Sequence, residues 1–259
     1  MTNATADKLI ALPGAMLSMR EADLMLGGSD KVLEIPVPSF LIEHRNGLVL
    51  FDTGCNPRVA VEPEAYWGPL AKLLNVRMSP EMAVDRQIRA HGYDPADVKF
   101  VVVSHLHLDH AGGLALFPHA KFFVIKGELP YAYWPDRRAR MAFILEDLLP
   151  TRRFDWNEVT EDTDLMGDGS LQMLKTAGHT PGECSLFVRL KQDGPIVLTG
   201  DTIHIRAQLE TLKGMATDYD LEQAGESIRR LKRIQDLGEA RLWVSHDPDD
   251  WANYPHLMK

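Results

Sequence analysis

With 259 residues, 45% hydrophobic and 25% charged, the chain has the make-up of an ordinary soluble globular protein and is long enough to bury a large core. Its formal charge of −9 argues against a general nucleic-acid surface, because contact with phosphates needs a basic face. No apolar run approaches a membrane span, and the polar start from Met1 to Lys8 has no apolar segment behind it, so no membrane attachment is expected.

In chain order, strands are predicted at Lys8 to Leu12, Phe40 to His44 and Leu48 to Phe51, the last two joined by an Arg45-Asn46-Gly47 hairpin turn. Helices are predicted from Pro63 to Leu74 and from Pro80 to His91, the second with Ser79 as N-cap and Pro80 in its first turn. The β-branched run Phe100 to Val103 reads as a buried strand. Lys121 to Ile125 is a strand, and Glu128 to Leu149 is mainly helical with a break near Pro135. Strands follow at Leu171 to Lys175, Cys184 to Leu190, Pro195 to Thr199 and Arg241 to Val244, with a helix from Leu221 to Gln235 before the last. In that helix Arg229, Arg230, Lys232 and Arg233 form a solvated face, while Ile228, Leu231 and Ile234 face inward.

No linker or like-charge run separates halves, which predicts one domain over residues 1–259. Interleaved strands and helices point to two sheets sandwiched between helical layers, an α/β architecture. Two cysteines, Cys55 and Cys184, are too few for a disulfide framework and match a reducing compartment, hence the cytoplasm.

The densest chemistry lies directly after the Phe100 to Val103 strand, in Ser104-His105-Leu106-His107-Leu108-Asp109-His110. Three imidazoles and a carboxylate in an H-x-H-x-D-H pattern are ligands for zinc, iron or manganese, whereas calcium would ask for oxygens alone. His105 and His107, two apart in extended backbone, can share one metal, and Asp109 and His110, past the bend, can aim at a second. Gly112 and Gly113 let the backbone pass close beneath. Further polar residues end other apolar strands: His179 within Thr176-Ala177-Gly178-His179-Thr180-Pro181-Gly182, Asp201 after Leu198-Thr199-Gly200, and His246 after Val244-Ser245. Strand ends are where active-site groups gather in α/β architectures.

Taken in order, Phe51-Asp52-Thr53-Gly54, His105 to His110, His179, Asp201 and His246 resemble the motifs of the metallo-β-lactamase superfamily over nearly the whole chain. Within it the chain resembles the N-acyl-homoserine lactonases that quench bacterial quorum sensing, through Ser-His-Leu-His-Leu-Asp-His-Ala-Gly-Gly, the loop at His179, and Ser245-His246-Asp247 close to the C-terminus. The resemblance implies a four-layer αββα sandwich and two metal ions, zinc first, with iron, cobalt or manganese as alternatives. His105, His107 and His179 would hold one ion, Asp109, His110 and His246 the other, and Asp201 would bridge them. Asp52 would orient a ligand by a hydrogen bond; Asp-Thr-Gly is also ordinary turn chemistry.

Two departures from the family pattern stand out. Many of these lactonases carry a tyrosine three residues after the bridging aspartate, where this chain has His204, and some carry an aromatic residue where it has Leu108. His204 would either donate a hydrogen bond to the oxyanion or pack beneath the site. The implied reaction opens the lactone ring of an N-acyl-homoserine lactone by a hydroxide held between the metals, with Asp109 returning a proton to the leaving oxygen. Met16, Met19, Leu24, Met25, Tyr66 and Trp67 are candidates to line an acyl channel, although core packing explains such residues as well. A small-molecule lactone is the expected partner, with a homodimer by analogy. Alternatives are a hydrolase of another lactone (such as a pyridoxolactone), of an ester or of a thioester, and a di-iron redox protein. Zinc β-lactamases often place cysteine in the bridging slot that Asp201 fills here, and glyoxalase II proteins append a helical region beyond the last ligand where only Asp247 to Lys259 remain.

Overall fold

Side chains that alternate along the predicted strands divide between two cores, and that alternation builds the layers. In the computed structural model, which describes residues 4–259, Leu9 and Ala11 pack with Phe40, Ile42, Val49 and Phe51 on one face of a sheet. Ile10, Leu12, Leu41, Leu48 and Leu50 pack on its other face. The first three residues of the polar start, Met1 to Asn3, lie outside the described residues.

That sheet has seven strands in the order Leu257–Met258, Lys8–Leu12, Ser39–His44, Gly47–Phe51, Val98–Val102, Lys121–Ile125 and Asp155–Val159. The hairpin Ser39–His44 to Gly47–Phe51 is antiparallel, and the pairings from Gly47–Phe51 onward are parallel. A second sheet runs Arg241–Trp243, Gly194–Leu198, Cys184–Leu190, Leu171–Lys175 and Thr163–Asp164. Its residues Leu171, Met173, Leu186, Val188, Ile196 and Leu198 close on the first sheet. Trp243 stands edge-on to Phe40 in this shared core, with ring centroids 5.1 Å apart.

Helices cover both outer faces. Val84 and Ile88 of the helix Val84–Ala90, with Ala132 and Leu148, lie on the first sheet. Ile228 and Leu231 of the helix Leu221–Asp236 lie on the second, against Leu174, Val197 and Leu242. Asp220 caps that helix by accepting the Glu222 and Gln223 N–H groups, and Arg229 and Arg233 on its far side are exposed. The result is the expected αββα sandwich. Among the described residues no helix is long and apolar enough to cross a membrane.

Several elements differ from their predicted form, each for a local reason. The helix expected over Pro63 to Leu74 is two, Pro63–Trp67 and Pro69–Leu73, because Gly68 takes φ +58° and Pro69 begins the next turn. Extended Ala83 likewise separates a 3-10 turn, Pro80–Met82, from the helix Val84–Ala90, so Ser79 precedes only the turn. Between Glu128 and Leu149 the helix stops at Tyr133, before Pro135, and the chain is helical again only at Leu145–Leu148 apart from a 3-10 turn, Arg140–Ala142. A hairpin of Met16–Arg20 with Val32–Pro36 and the edge strand Asp155–Val159 were not predicted. The hairpin and the segment Pro63–Leu73 form an apolar cluster, including Leu17, Ile35, Trp67 and Leu108, that overhangs one end of the sandwich.

Candidate metal centre and cleft

The ends of strands from both sheets meet beneath that overhang. Gly47–Phe51 leads into Asp52, Val98–Val102 into Ser104 to His110, Leu171–Lys175 into His179, Gly194–Leu198 into Asp201, and Arg241–Trp243 into His246. The loops pass within backbone contact of one another. A Cβ on Gly112 would lie 2.1 Å from the Asn56 nitrogen, and one on Gly113 2.5 Å from the Thr53 oxygen, so the double glycine is what allows the ligand turn to nest against the Asp52 loop.

All seven ligand candidates come together, in two groups. His105, His107, His179 and Asp201 form one, and Asp109, His110 and His246 the other. In the first, His105 Nε2 and His179 Nε2 lie 2.9 and 3.0 Å from His107 Nδ1 and 3.7 and 3.6 Å from Asp201 Oδ2. In the second, His110 Nε2 and His246 Nε2 are 3.3 Å apart, 3.7 and 3.8 Å from Asp109 Oδ2, and 3.2 and 3.0 Å from Asp201 Oδ1. Zinc–nitrogen bonds of about 2.0–2.1 Å give a tetrahedron with edges of about 3.3 Å. Both groups therefore have the size of a metal coordination shell, and Asp201 turns one oxygen to each. Asp201 Oδ1, moreover, is buried with no hydrogen-bond partner, an expensive arrangement unless a cation meets it. The residues present fit a pair of transition-metal ions.

Outer partners hold the rings. Asp52, at φ +58°, accepts the Ser104 N–H at 2.7 Å and the Ser104 hydroxyl at 2.8 Å, and lies 2.9 Å from His110 Nδ1. His179 Nδ1 is 2.8 Å from Asp218 Oδ1, and His246 Nδ1 is 2.6 Å from the Pro36 carbonyl oxygen. His105 Nδ1 lies 3.0 Å from both Ser104 Oγ and Glu183 Oε2. Each contact occupies Nδ1 and leaves the Nε2 lone pair to the cluster. Burial pushes the His105 and His107 imidazoles well below their usual range, toward the neutral form a ligand needs. Burial works against the charge of Asp201, but His110, His246 and His204 around it hold its carboxyl well below the usual value.

His204 also reaches the centre. Its Nε2 is 3.1 Å from Asp201 Oδ2, its ring stacks on His246 at 5.9 Å, and its Nδ1 is buried without a partner. A cleft of about 730 Å³ opens over His107, Asp109, His204 and His246, its walls including Leu17, Met19, Leu24, Leu70, Leu73 and Leu108. Of the predicted channel residues, Met19 and Leu24 line it. Met25 and Trp67 are instead buried in the overhanging cluster, and Tyr66 packs against it with its hydroxyl donating to Asp147 at 2.6 Å. Met16 is not part of the wall; Leu17, on the same face of the hairpin strand as Met19, is.

Sequence reasoning missed Glu183 and Asp218. Glu183 directly follows the His179 loop and Asp218 lies 39 residues beyond that histidine, and only the fold reveals that both are buried against a ring.

Comparison with known proteins agrees with this geometry. Residues 33–246 match the Metallo-beta-lactamase superfamily. The chain is 37% identical over 233 residues to an N-acyl homoserine lactonase, AttM, of Rhizobium radiobacter, the match spanning 88% of each chain. It is 30% identical over 221 residues to the N-acyl homoserine lactonase AiiA of Bacillus thuringiensis subsp. kurstaki, across 84% of this chain and 83% of that one. The fold superposes with a TM-score of 0.85 on an N-acyl homoserine lactone hydrolase solved with N-hexanoyl-L-homoserine at its catalytic metal centre, at 24% identity over 97% of this chain and 98% of that one. AidC, a dizinc quorum-quenching lactonase, is similar at a TM-score of 0.69 and 20% identity, covering 98% of this chain and 92% of its own.

Proposed function

The chain belongs to the metallo-beta-lactamase superfamily, and from that premise we propose that it is a metal-dependent hydrolase that opens the lactone ring of N-acyl-homoserine lactones. The observation that carries the reading is the shared carboxylate: Asp201 presents one oxygen to each of two ligand groups at the floor of an apolar cleft. In this assignment His105, His107 and His179 hold one ion, Asp109, His110 and His246 the other, and zinc is the metal proposed. When bound, such a pair supplies a water acidic enough to attack at neutral pH and an electrophile for the carbonyl.

The chain's own groups do the rest. Leu17, Met19, Leu24 and Leu108 shed water from an acyl chain laid along the cleft, which leaves the lactone carbonyl over the centre. His204 lines the cleft; its Nδ1 is enclosed by protein, so it is Nε2, 3.1 Å from Asp201 Oδ2, that donates a hydrogen bond to the oxygen that becomes negative as the carbonyl is attacked. Asp109, which lines the cleft and is partly exposed, would take the proton that the attacking water gives up and return it to the departing ring oxygen. The buried thiols of Cys55 and Cys184 accord with a cytoplasmic setting.

The test is hydrolysis of short- and long-chain N-acyl-homoserine lactones, followed by proton release, with zinc-loaded protein whose metal content has been counted. Rapid ring opening with two metals per chain is expected. Absence of opening with both metals in place would overturn the substrate and move the search to other lactones and esters.

A further inference from the structure

One buried carboxylate near the centre touches no ligand side chain. Glu128, the first residue of the helix Glu128–Tyr133, is fully buried. Its Oε1 accepts the Leu106 N–H at 2.9 Å and its Oε2 accepts the Gly182 N–H at 3.0 Å. Leu106 sits between His105 and His107. Gly182 follows His179 by three residues and precedes Glu183, whose Oε1 accepts the Asp201 N–H at 2.9 Å.

We propose that Glu128 is a positioning residue for one metal site, a clasp whose two oxygens fix the His105–His107 loop against the His179 loop. The three nitrogens of that site come from loops rooted in different sheets, and nothing in either loop alone sets their separation. Glu128 sets it through the backbone. The approach is close enough that a Cβ on Gly182 would lie 2.4 Å from Glu128 Cβ and 2.8 Å from the Ile125 oxygen, so glycine is required where the clasp shuts. Burial pushes the carboxyl of Glu128 up, and the Thr180 hydroxyl, followed by the Leu106 and Gly182 N–H groups, opposes that shift. A buried carboxylate is a costly way to support a fold; one whose two oxygens meet backbone N–H groups of two different loops is an effective way to hold them in register.

The inference rests on the metal reading above and is tested without any substrate. Glu128→Gln keeps the shape but offers only one oxygen, so its NH₂ group must face either the Leu106 or the Gly182 N–H. Metal-free wild type and variant are titrated with zinc against a chromophoric chelator, cobalt-loaded samples are compared by visible absorption, and unfolding of the metal-free proteins is measured beside them. One of the two stepwise affinities should weaken about 10-fold with a changed cobalt spectrum, while the other affinity holds. Gly182→Ala, which opens the clasp from its other side, should give the same signature. Unchanged affinities and spectrum in both variants would overturn the inference, as would a parallel loss of both affinities with metal-free stability. Wild type that binds fewer than two metals would overturn the ligand assignment together with it.

Discussion

Asp52→Asn is the sharpest probe of how the centre is held. The aspartate accepts three hydrogen bonds, from the Ser104 N–H and hydroxyl and from His110 Nδ1. Asparagine is the same size but has one acceptor oxygen. If that oxygen stays on the Ser104 N–H, the NH₂ group faces His110 Nδ1, which must then be the unprotonated nitrogen. The proton moves to Nε2, the atom that lies 3.2 Å from Asp201 Oδ1 and 3.3 Å from His246 Nε2, and the lone pair meant for a metal is gone. The other rotamer sets NH₂ against the Ser104 N–H and displaces the strand end. A hydrogen bond to a charged partner contributes about 1.5–3 kcal/mol, which corresponds to roughly 10- to 150-fold in affinity. Zinc affinity at the site of Asp109, His110 and His246 should fall by that order, which overlaps the roughly 10- to 100-fold typical of losing an outer partner of a metal ligand. Chelator competition gives the affinity, and ¹⁵N spectra of the histidine rings give the tautomer of His110. Two unchanged affinities, or a His110 that keeps Nδ1 protonated in the variant, would refute the tautomer argument.

His204→Phe should keep both metals and lower turnover about 100-fold, the scale for losing one donor to a developing oxyanion; metal analysis beside initial rates checks it, and an unchanged rate would make His204 a packing residue. Asp147 gives a prediction in pH. Burial, against hydrogen bonds from Tyr66 and Asn56, raises its carboxyl from 3.8 to about 6. The folded-state value lies above the unfolded one, so the stability contributed by the neutral acid is complete below the unfolded value and is lost as pH rises through about 6. Asp147→Asn escapes that loss and should be more stable than wild type by up to about 3 kcal/mol at pH 8, with the difference gone near pH 4. Urea midpoints at the two pH values measure it, and an equal difference at both would assign the effect to packing.

What was legible in the sequence followed from how far each signal reaches along the chain. His105 to His110 is one local run, and its two-apart histidines already separate the two metal groups, because strand geometry puts alternate residues on one side. His179, Asp201 and His246 could be named since each ends an apolar strand. The layers were legible for the same reason: Leu9 and Ile10, or Leu41 and Ile42, belong to opposite cores by alternation alone. The hairpin Met16–Arg20 with Val32–Pro36 gives a weak signal because eleven residues separate its arms and each carries a charged residue, Arg20 or Glu34, and is only partly buried. Asp155–Val159, an edge strand, has a polar sequence that reads as a loop. The break at Gly68-Pro69 does have a sequence signal, a glycine followed by a proline.

The residues that hold the ligands were the hardest to read, and the physics says why. A ligand must be His or Asp, so its type survives in a motif. A second partner need only present an acceptor to Nδ1, and here that acceptor is a carboxylate of Asp52 or Asp218, the hydroxyl of Ser104, or the main-chain oxygen of Pro36. The last has no sequence signal at all, since every residue carries a carbonyl. Asp52 shows through its Asp-Thr-Gly motif, but Asp218, like Glu183 beside His105, differs from the acids on the surface only in burial, which is a property of the packed fold. Glu128 lies one step further out, acting on backbone N–H groups whose partners no motif records. The proposed centre is therefore specified twice: locally by residues of metal-ligating type, and globally by partners whose position along the chain is free so long as the fold returns them to the same few ångströms.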